Sequence, residues 1–469
     1  MKRTKILATY GPGIASPSKV SRLVNAGVNA FRVNCSHGRT EDFLAAARII
    51  GEGIAKARYP TGLLFDIAGP KIRLDRFDGK VTVRKGKRLT LTTGRSDPGK
   101  GIIGLNHAEV LGSIKKGDRI LIDDGSLLFT AIAVDRKGVT LKALNSGTVL
   151  PGKGVNLPST KLDIPTISDK DREDIKTAVR VDADYIALSF VRSPKEIAEV
   201  RRQVKKLGGR QKIFAKLEKR EAIDSLEAIM QAADGIMIAR GDLGVEMPPE
   251  EVPKLQKRII SMSTALQKPV IVATQMLESM RFSPRPTRAE VNDVASAVFD
   301  QADAVMLSAE TATGKYPTET VRTMSDIIVA TEKDQPEPAA PKQDKNFKSP
   351  IPVAIARSVL HANRTCQSKV IVAFTSSGFT AQLIANLMPT QPIVAVTDDK
   401  KVMSSLSLFR AVYPVQADQP QSFNEMIDTV NRICRQHKLA RRRDKVLVTG
   451  GVPFGSRVQT NLLFIHEVT

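Results

Sequence analysis

Apolar residues along the chain gather into short, nearly unbroken runs rich in β-branched side chains, and each run is followed by a stretch with helical spacing. The runs predict strands at Lys5–Tyr10, Asn29–Cys35, Gly62–Ala68, Tyr185–Phe190, Lys212–Glu218, Gly235–Arg240, Pro269–Gln275 and Ala304–Glu310. Continuous apolarity, rather than alternation, is what a parallel strand buried on both faces requires. Eight strand and helix units in succession predict an α/β fold of the (β/α)8 TIM-barrel type. Helix signals agree: Ser16-Pro17 supplies an N-cap and a first-turn proline, Gly27 a C-terminal cap, and Ser193-Pro194-Lys195-Glu196 a capping box.

The spacing breaks once, between Gly62 and Tyr185, where about 90 residues exceed the roughly 30 that one unit needs. Val81-Thr82-Val83 and Leu89-Thr90-Leu91-Thr92 alternate there, and Arg119–Ile122 runs into the turn Asp123-Asp124-Gly125. This predicts an inserted small β-barrel or all-β domain over residues 71–154, hanging over the C-terminal mouth of a barrel formed by 1–70 and 155–333. Prolines mixed with charges mark a linker over 334–350, and Lys369–Ala373, Ile393–Thr397 and Lys445–Thr449 predict a C-terminal α/β domain over 351–469.

Composition narrows the classes. Of 469 residues 42% are hydrophobic and 26% charged, which excludes fibrous, disulfide-scaffold and disordered readings. Lys and Arg exceed Asp and Glu by 71 to 49, a net +22 that suits anionic partners, whether phosphorylated metabolites or nucleic acid. Cys35, Cys366 and Cys434 lack any paired spacing, which points to a reducing cytoplasm. No signal-peptide or membrane-spanning apolar segment is expected.

In a barrel of this kind functional side chains belong at the C-terminal strand ends. Those ends carry Arg32, Asn34, Ser36, Asp66, Ser189, Lys216, Glu218, Arg240, Asp242, Thr274, Ser308 and Glu310. Glu218 and Asp242 come from adjacent strands, and two carboxylates that leave other positions to water and phosphate suit Mg²⁺. Salt bridges to Lys216 and Arg240 are the plainer use of the same pair. Lys216 beside such a pair adds the positive charge that a transferring phosphoryl group needs.

Taken in order, Phe31-Arg32-Val33-Asn34-Cys35-Ser36-His37-Gly38, Gly69-Pro70-Lys71-Ile72-Arg73, Lys153-Gly154-Val155-Asn156-Leu157-Pro158, Ala215-Lys216-Leu217-Glu218, Ala239–Glu246, Ala273–Met280 and Leu307–Ala312 resemble the pyruvate kinase family, over nearly the whole chain. The resemblance implies phosphoryl transfer from phosphoenolpyruvate to ADP, giving pyruvate and ATP, the last step of glycolysis. It implies that Glu218 and Asp242 hold Mg²⁺ or Mn²⁺, that Arg32 and Lys216 contact the phosphoryl group, and that the Gly241-Asp242 backbone with Thr274 receives the substrate carboxylate. Thr274, Ser308 and Glu310 match the positions associated with proton delivery to enolpyruvate. His37, Arg73 and Lys153 match nucleotide contacts, and a cytoplasmic homotetramer with no membrane or specific nucleic-acid partner is implied by the family.

Asn34, Ser36 and Asp66 match the monovalent-cation pocket, but Ile67 and Lys71 stand where K⁺-requiring members have threonine and glutamate. A fixed ammonium there repels K⁺ and replaces its charge, so activity without K⁺ is expected. In the last domain Thr375-Ser376-Ser377-Gly378-Phe379-Thr380 matches the effector-phosphate loop. Phe379 replaces the usual basic residue, so a sugar monophosphate or AMP is at least as well suited as fructose-1,6-bisphosphate. Two other readings are weighed against this one: a basic nucleic-acid-binding protein that keeps the fold, and another phosphoenolpyruvate or pyruvate barrel such as a metal-dependent aldolase or lyase.

Overall fold

The computed structural model describes residues 1–36, 38–135, 138–160, 164–165, 167–335, 350–454 and 458–469. Eight parallel strands close into a barrel: Lys5–Thr9, Ala30–Asn34, Gly62–Ile67, Tyr185–Leu188, Lys212–Leu217, Gly235–Ala239, Val270–Ala273 and Ala304–Leu307. The last pairs back onto the first, with Lys5 opposite Ala304. All eight expected strands are present, and each ends one to three residues early, at Thr9, Asn34, Ile67, Leu188, Leu217, Ala239, Ala273 and Leu307. After Leu188, Ala239, Ala273 and Leu307 the shortening has a backbone cause: Phe190, Thr274 and Gln275 adopt positive φ, while Arg240 and Ala309 open short helices. Ser189, Glu218, Asp242, Thr274, Ser308 and Glu310 therefore sit on turns or short helices beyond the strands, while Arg32, Asn34, Asp66 and Lys216 stay on the strands.

Local signals act as the sequence suggests. Ser16 accepts from the Lys19 N–H before helix Pro17–Ala26, Gly27 closes that helix at φ 127°, and Ser193 with Glu196 forms a capping box. The barrel interior packs Leu7, Leu64, Tyr185, Phe214, Met237 and Ile271 in layers. Leu408, from the C-terminal part of the chain, is buried in the same cluster and plugs the barrel floor.

Residues 81–156 build an antiparallel ribbon, Val81–Val83 with Gly147–Val149, and a six-stranded sheet ordered Val155–Asn156, Arg119–Ile122, Leu127–Asp135, Gly138–Ala143, Arg88–Thr92, Ile102–Gly104. Both share one apolar core. The C-terminal sheet has five strands, ordered Val412–Gln416, Ile393–Thr397, Val370–Phe374, Lys445–Gly450 and Leu462–Glu467, with apolar clusters on both faces. Two of these strands escape the sequence pattern. Val412–Gln416 contains Pro414 and lies at an edge, where a missing N–H is tolerated, and Leu462–Glu467 is the antiparallel strand at the opposite edge. The expected linker over 334–350 lies almost entirely outside the described residues. Among the described residues no helix is long and apolar enough to cross a membrane.

Candidate active site

At the C-terminal mouth of the barrel the second, third and fifth strands deliver a buried cluster of charge. Asp66, near the end of the third strand, receives Arg32 Nε on Oδ2 at 2.6 Å and Lys216 Nζ on Oδ1 at 3.1 Å. Lys216, from the fifth strand, also reaches Glu218 Oε1 at 2.9 Å and donates to Ser189 Oγ at 2.7 Å. Glu218 Oε2 accepts the Phe190 N–H at 2.7 Å, a geometry available because Phe190 turns to φ 55°. Arg32 completes its own bonding with Thr9 Oγ1 at 3.1 Å.

The electrostatics follow from burial and pairing. Burial acts to lower the Lys216 ammonium, but the carboxylates of Asp66 and Glu218 outweigh it, and the group is held above its ordinary range. Burial acts to raise Asp66, and the neighbouring Lys216 and Arg32 hold it below the usual carboxylate range. For Glu218 burial wins, aided by the charge of Asp242, and its carboxyl is pushed up against the pull of Lys216. Lys216 is therefore a permanent cation at neutral pH.

Asp242 lies in the short helix Arg240–Glu246 that follows the sixth strand. Its Oδ1 faces Lys71 Nζ at 3.5 Å. Among the described residues no group of three or more His, Cys, Asp or Glu side chains is placed to hold a metal. The carboxylates of Glu218 and Asp242, each acting electrostatically on Lys216, are the acidic donors that the sequence singles out at this rim. Two hard oxygen donors fit an ion such as Mg²⁺ that keeps water and substrate phosphate in its remaining positions. Each carboxylate is neutralised by a lysine in the meantime.

Thr274 sits at φ 71° on the turn after the seventh strand, and its Oγ1 accepts the Gly241 N–H at 2.8 Å. A Cβ on Gly241 would stand 3.3 Å from that hydroxyl oxygen, so glycine allows the close approach. Arg240 fixes the turn, donating to the Thr274 carbonyl at 2.8 Å while paired with Asp293 at 2.5 Å. Glu310 is fully buried and accepts from the N–H groups of Ser308 at 2.6 Å and Leu277 at 3.2 Å; burial raises its carboxyl pKa.

The remaining expected positions fall as follows. Asn34 stands opposite Asp66 in register, and its side chain accepts the Ser36 N–H. Ile67 is fully buried. Lys71 makes its ion pair with Asp242, and not with Asp66. Arg73 and Lys153 lie at the root of the insert, where Arg73 bridges to Gly154 and donates to the Gly152 carbonyl, and Lys153 pairs with Asp123 at 2.8 Å. His37 lies outside the described residues. In the C-terminal domain Thr375 Oγ1 accepts the Gly378 N–H and Ser377 Oγ the Phe379 N–H, Thr380 bonds Thr460, and Ser376 is exposed. Sequence reasoning passed over Thr9, Asp293 and the buried trio Lys219, Glu246 and Asn156. Lys219 and Glu246 lie in stretches already rich in charge, and only the fold brings them together.

Residues 1–321 match the family described as pyruvate kinase, barrel domain, and residues 353–466 the pyruvate kinase alpha/beta domain. A pyruvate kinase of Agrobacterium vitis is 40% identical over 470 residues, covering 99% of this chain and 98% of its own. That of Geobacillus stearothermophilus is 38% identical, covering 100% of this chain and 81% of its own. The crystal structure of a pyruvate kinase from Cryptosporidium parvum superposes with a TM-score of 0.91 at 33% identity, over 100% of this chain and 96% of that one. A match that takes in both the barrel and the C-terminal domain removes the aldolase or lyase reading. The chain belongs to the pyruvate kinase family, phosphotransferases that act on phosphoenolpyruvate and ADP and in general require a divalent metal.

Proposed function

We propose that the rim cluster moves the phosphoryl group of phosphoenolpyruvate to ADP with Mg²⁺, or Mn²⁺ in its place, held by Glu218 and Asp242. The metal supplies charge neutralisation between the phosphates of donor and acceptor. The carrying observation is Lys216: a buried ammonium flanked by Asp66 and Glu218, kept charged in a water-poor site. Lys216 and Arg32 stabilise the negative charge that spreads over the phosphoryl oxygens as the bond to the enol oxygen breaks and one to the ADP β-phosphate forms. The Gly241-Asp242 backbone receives the substrate carboxylate together with Thr274, whose hydroxyl holds the Gly241 N–H. The enolate left behind takes a proton at carbon. Thr274, Ser308 and Glu310 line that position, and burial raises the Glu310 carboxyl pKa.

The insert, residues 71–154, brings Arg73 and Lys153 to the nucleotide, with His37 from the barrel, and closes on it to exclude water. Residues 1–70 and 155–333 form the catalytic barrel, and residues 351–469 a domain whose turn Thr375, Ser376, Ser377, Gly378 and Thr380 receives a phosphorylated effector. K⁺ is not required: both Asp66 oxygens are taken by cationic side chains, and the Ile67 side chain offers no oxygen. The chain acts in the cytoplasm as a homotetramer, in keeping with its three free cysteines.

The test is pyruvate formation from phosphoenolpyruvate and ADP, with metal removed by chelation and restored as Mg²⁺ or Mn²⁺, and with sugar monophosphates, AMP and fructose-1,6-bisphosphate as added effectors. A folded protein that forms no pyruvate under any of these conditions overturns the reading.

A further inference from the structure

The insert leaves the barrel after the third strand and returns through Val155–Asn156, and both crossing segments are gripped by one short helix. Lys71, on the outgoing segment, pairs with Asp242 at 3.5 Å. Asn156, on the returning strand, donates its side-chain amide to Glu246 Oε1 at 2.8 Å. Asp242 and Glu246 are four residues apart in helix Arg240–Glu246, so they present to one face. The two crossing segments are themselves joined, Val155 N–H to Ile72 carbonyl at 2.9 Å. The turn after Arg119–Ile122 touches the same helix: a Cβ on Gly125 would stand 3.7 Å from Val245 Cγ1.

Glu246 is the centre of this arrangement. The same oxygen that takes Asn156 accepts Lys219 Nζ at 2.6 Å, and the Glu246 side chain is 1% exposed against 8% for Lys219. Lys219 directly follows Glu218 in the chain. A buried carboxylate is retained only where donors satisfy it, and here those donors come from the strand that closes the insert's sheet and from the turn after the fifth barrel strand. The helix that carries Asp242 is thus pinned at its far end to both bodies at once.

We propose that Glu246 is a positioning residue that fixes where the insert stands over the rim through its bond from Asn156, so that this link sets the affinity for the nucleoside diphosphate without touching it. This rests on the reading that the diphosphate binds beneath the insert.

Asn156→Ala cuts the link to the insert and leaves the buried Lys219–Glu246 pair intact. Its ADP KM should rise about tenfold, the scale of one lost hydrogen bond to a charged group, with kcat and the phosphoenolpyruvate KM within about twofold. Amide hydrogen exchange should quicken at residues 121–126 and 153–157 and stay unchanged in helix Pro317–Lys333. Lys219→Met with Glu246→Gln removes both charges and keeps an acceptor for Asn156, so its ADP KM should lie within about twofold of wild type. An unchanged ADP KM in Asn156→Ala, or a rise shared equally with the phosphoenolpyruvate KM and accompanied by faster exchange throughout the barrel, overturns the proposal. An equal rise in the double variant overturns it too. Should the wild type form no pyruvate, the functional reading fails, while the exchange measurement still reports whether Asn156 holds the insert.

Discussion

Lys216 Nζ stands 3.1 Å from Asp66 Oδ1 and 2.9 Å from Glu218 Oε1, one ammonium shared by two buried carboxylates from different strands. Pairing of this kind serves two ends, since it keeps Lys216 charged and leaves it poised to turn toward an anion when one arrives.

Replacing Lys216 therefore acts on both activity and stability. Lys216→Met should lower kcat by about 10³-fold, as expected for removal of one charge that stabilises the transition state in a dry site. It also takes the cationic partner from Glu218 and leaves Asp66 with Arg32 alone, and the loss of a partner from a buried ion pair costs about 3–5 kcal/mol. Steady-state kinetics and urea unfolding measure the two separately. A variant that keeps kcat within tenfold would remove Lys216 from the phosphoryl site.

K⁺ should make no difference to turnover. A cation placed about 4 Å from an ammonium meets repulsion of about 4 kcal/mol at the dielectric of a protein surface, and the oxygens of Asp66 are already occupied by Arg32 and Lys216. Rates in K⁺ and in tetramethylammonium buffer should agree within about twofold. Loss of activity in the K⁺-free buffer would refute the reading of Ile67 and Lys71.

The barrel was legible because its strands are buried on both faces and so write themselves as uninterrupted apolar runs. Their ends were less legible, because Phe190, Thr274 and Gln275 take positive φ and Arg240 begins a helix, choices that tertiary contacts impose. The rim residues were legible as types at strand ends, yet their partners were not. Lys71 was expected to bring its ammonium to the monovalent-cation pocket, and its ion pair is with Asp242, since only the fold decides which carboxylate a long side chain from a neighbouring segment can reach. The pairing of Asn156 with Glu246 joins residues 90 positions apart and leaves no periodic trace in the sequence.

The barrel floor predicts a pH dependence of stability. Asp303 accepts the N–H groups of Val270 and Arg410, but burial outweighs them and raises its pKa from 3.8 to about 6. The folded state then holds this proton more tightly than the unfolded chain. The stabilisation is complete below pH 3.8 and is lost as pH rises through about 6, a difference of about 3 kcal/mol. Urea midpoints of wild type and Asp303→Asn, compared between pH 4 and 7, should diverge in slope, with the wild type falling more steeply. Parallel curves would show that Asp303 does not titrate in this window.

Thr274 separates a hydroxyl's chemistry from its shape. Its Oγ1 accepts the Gly241 N–H and donates to the Ala273 carbonyl at 2.6 Å, while Arg240 holds the Thr274 carbonyl and with it the positive φ. If the hydroxyl orders the carboxylate site and helps deliver the proton, Thr274→Ser should keep kcat within about fivefold, because it preserves both bonds. Thr274→Val has nearly the same volume but leaves the Gly241 N–H without its acceptor, and its kcat should fall about 10²-fold, the scale of a lost acid–base contribution. The phosphoenolpyruvate KM should change less than kcat. Arg240→Met, which releases the turn and leaves the hydroxyl in place, should lower kcat by an intermediate factor. Equal activity in the serine and valine variants would assign Thr274 to packing alone and leave Ser308 and Glu310 to carry the proton.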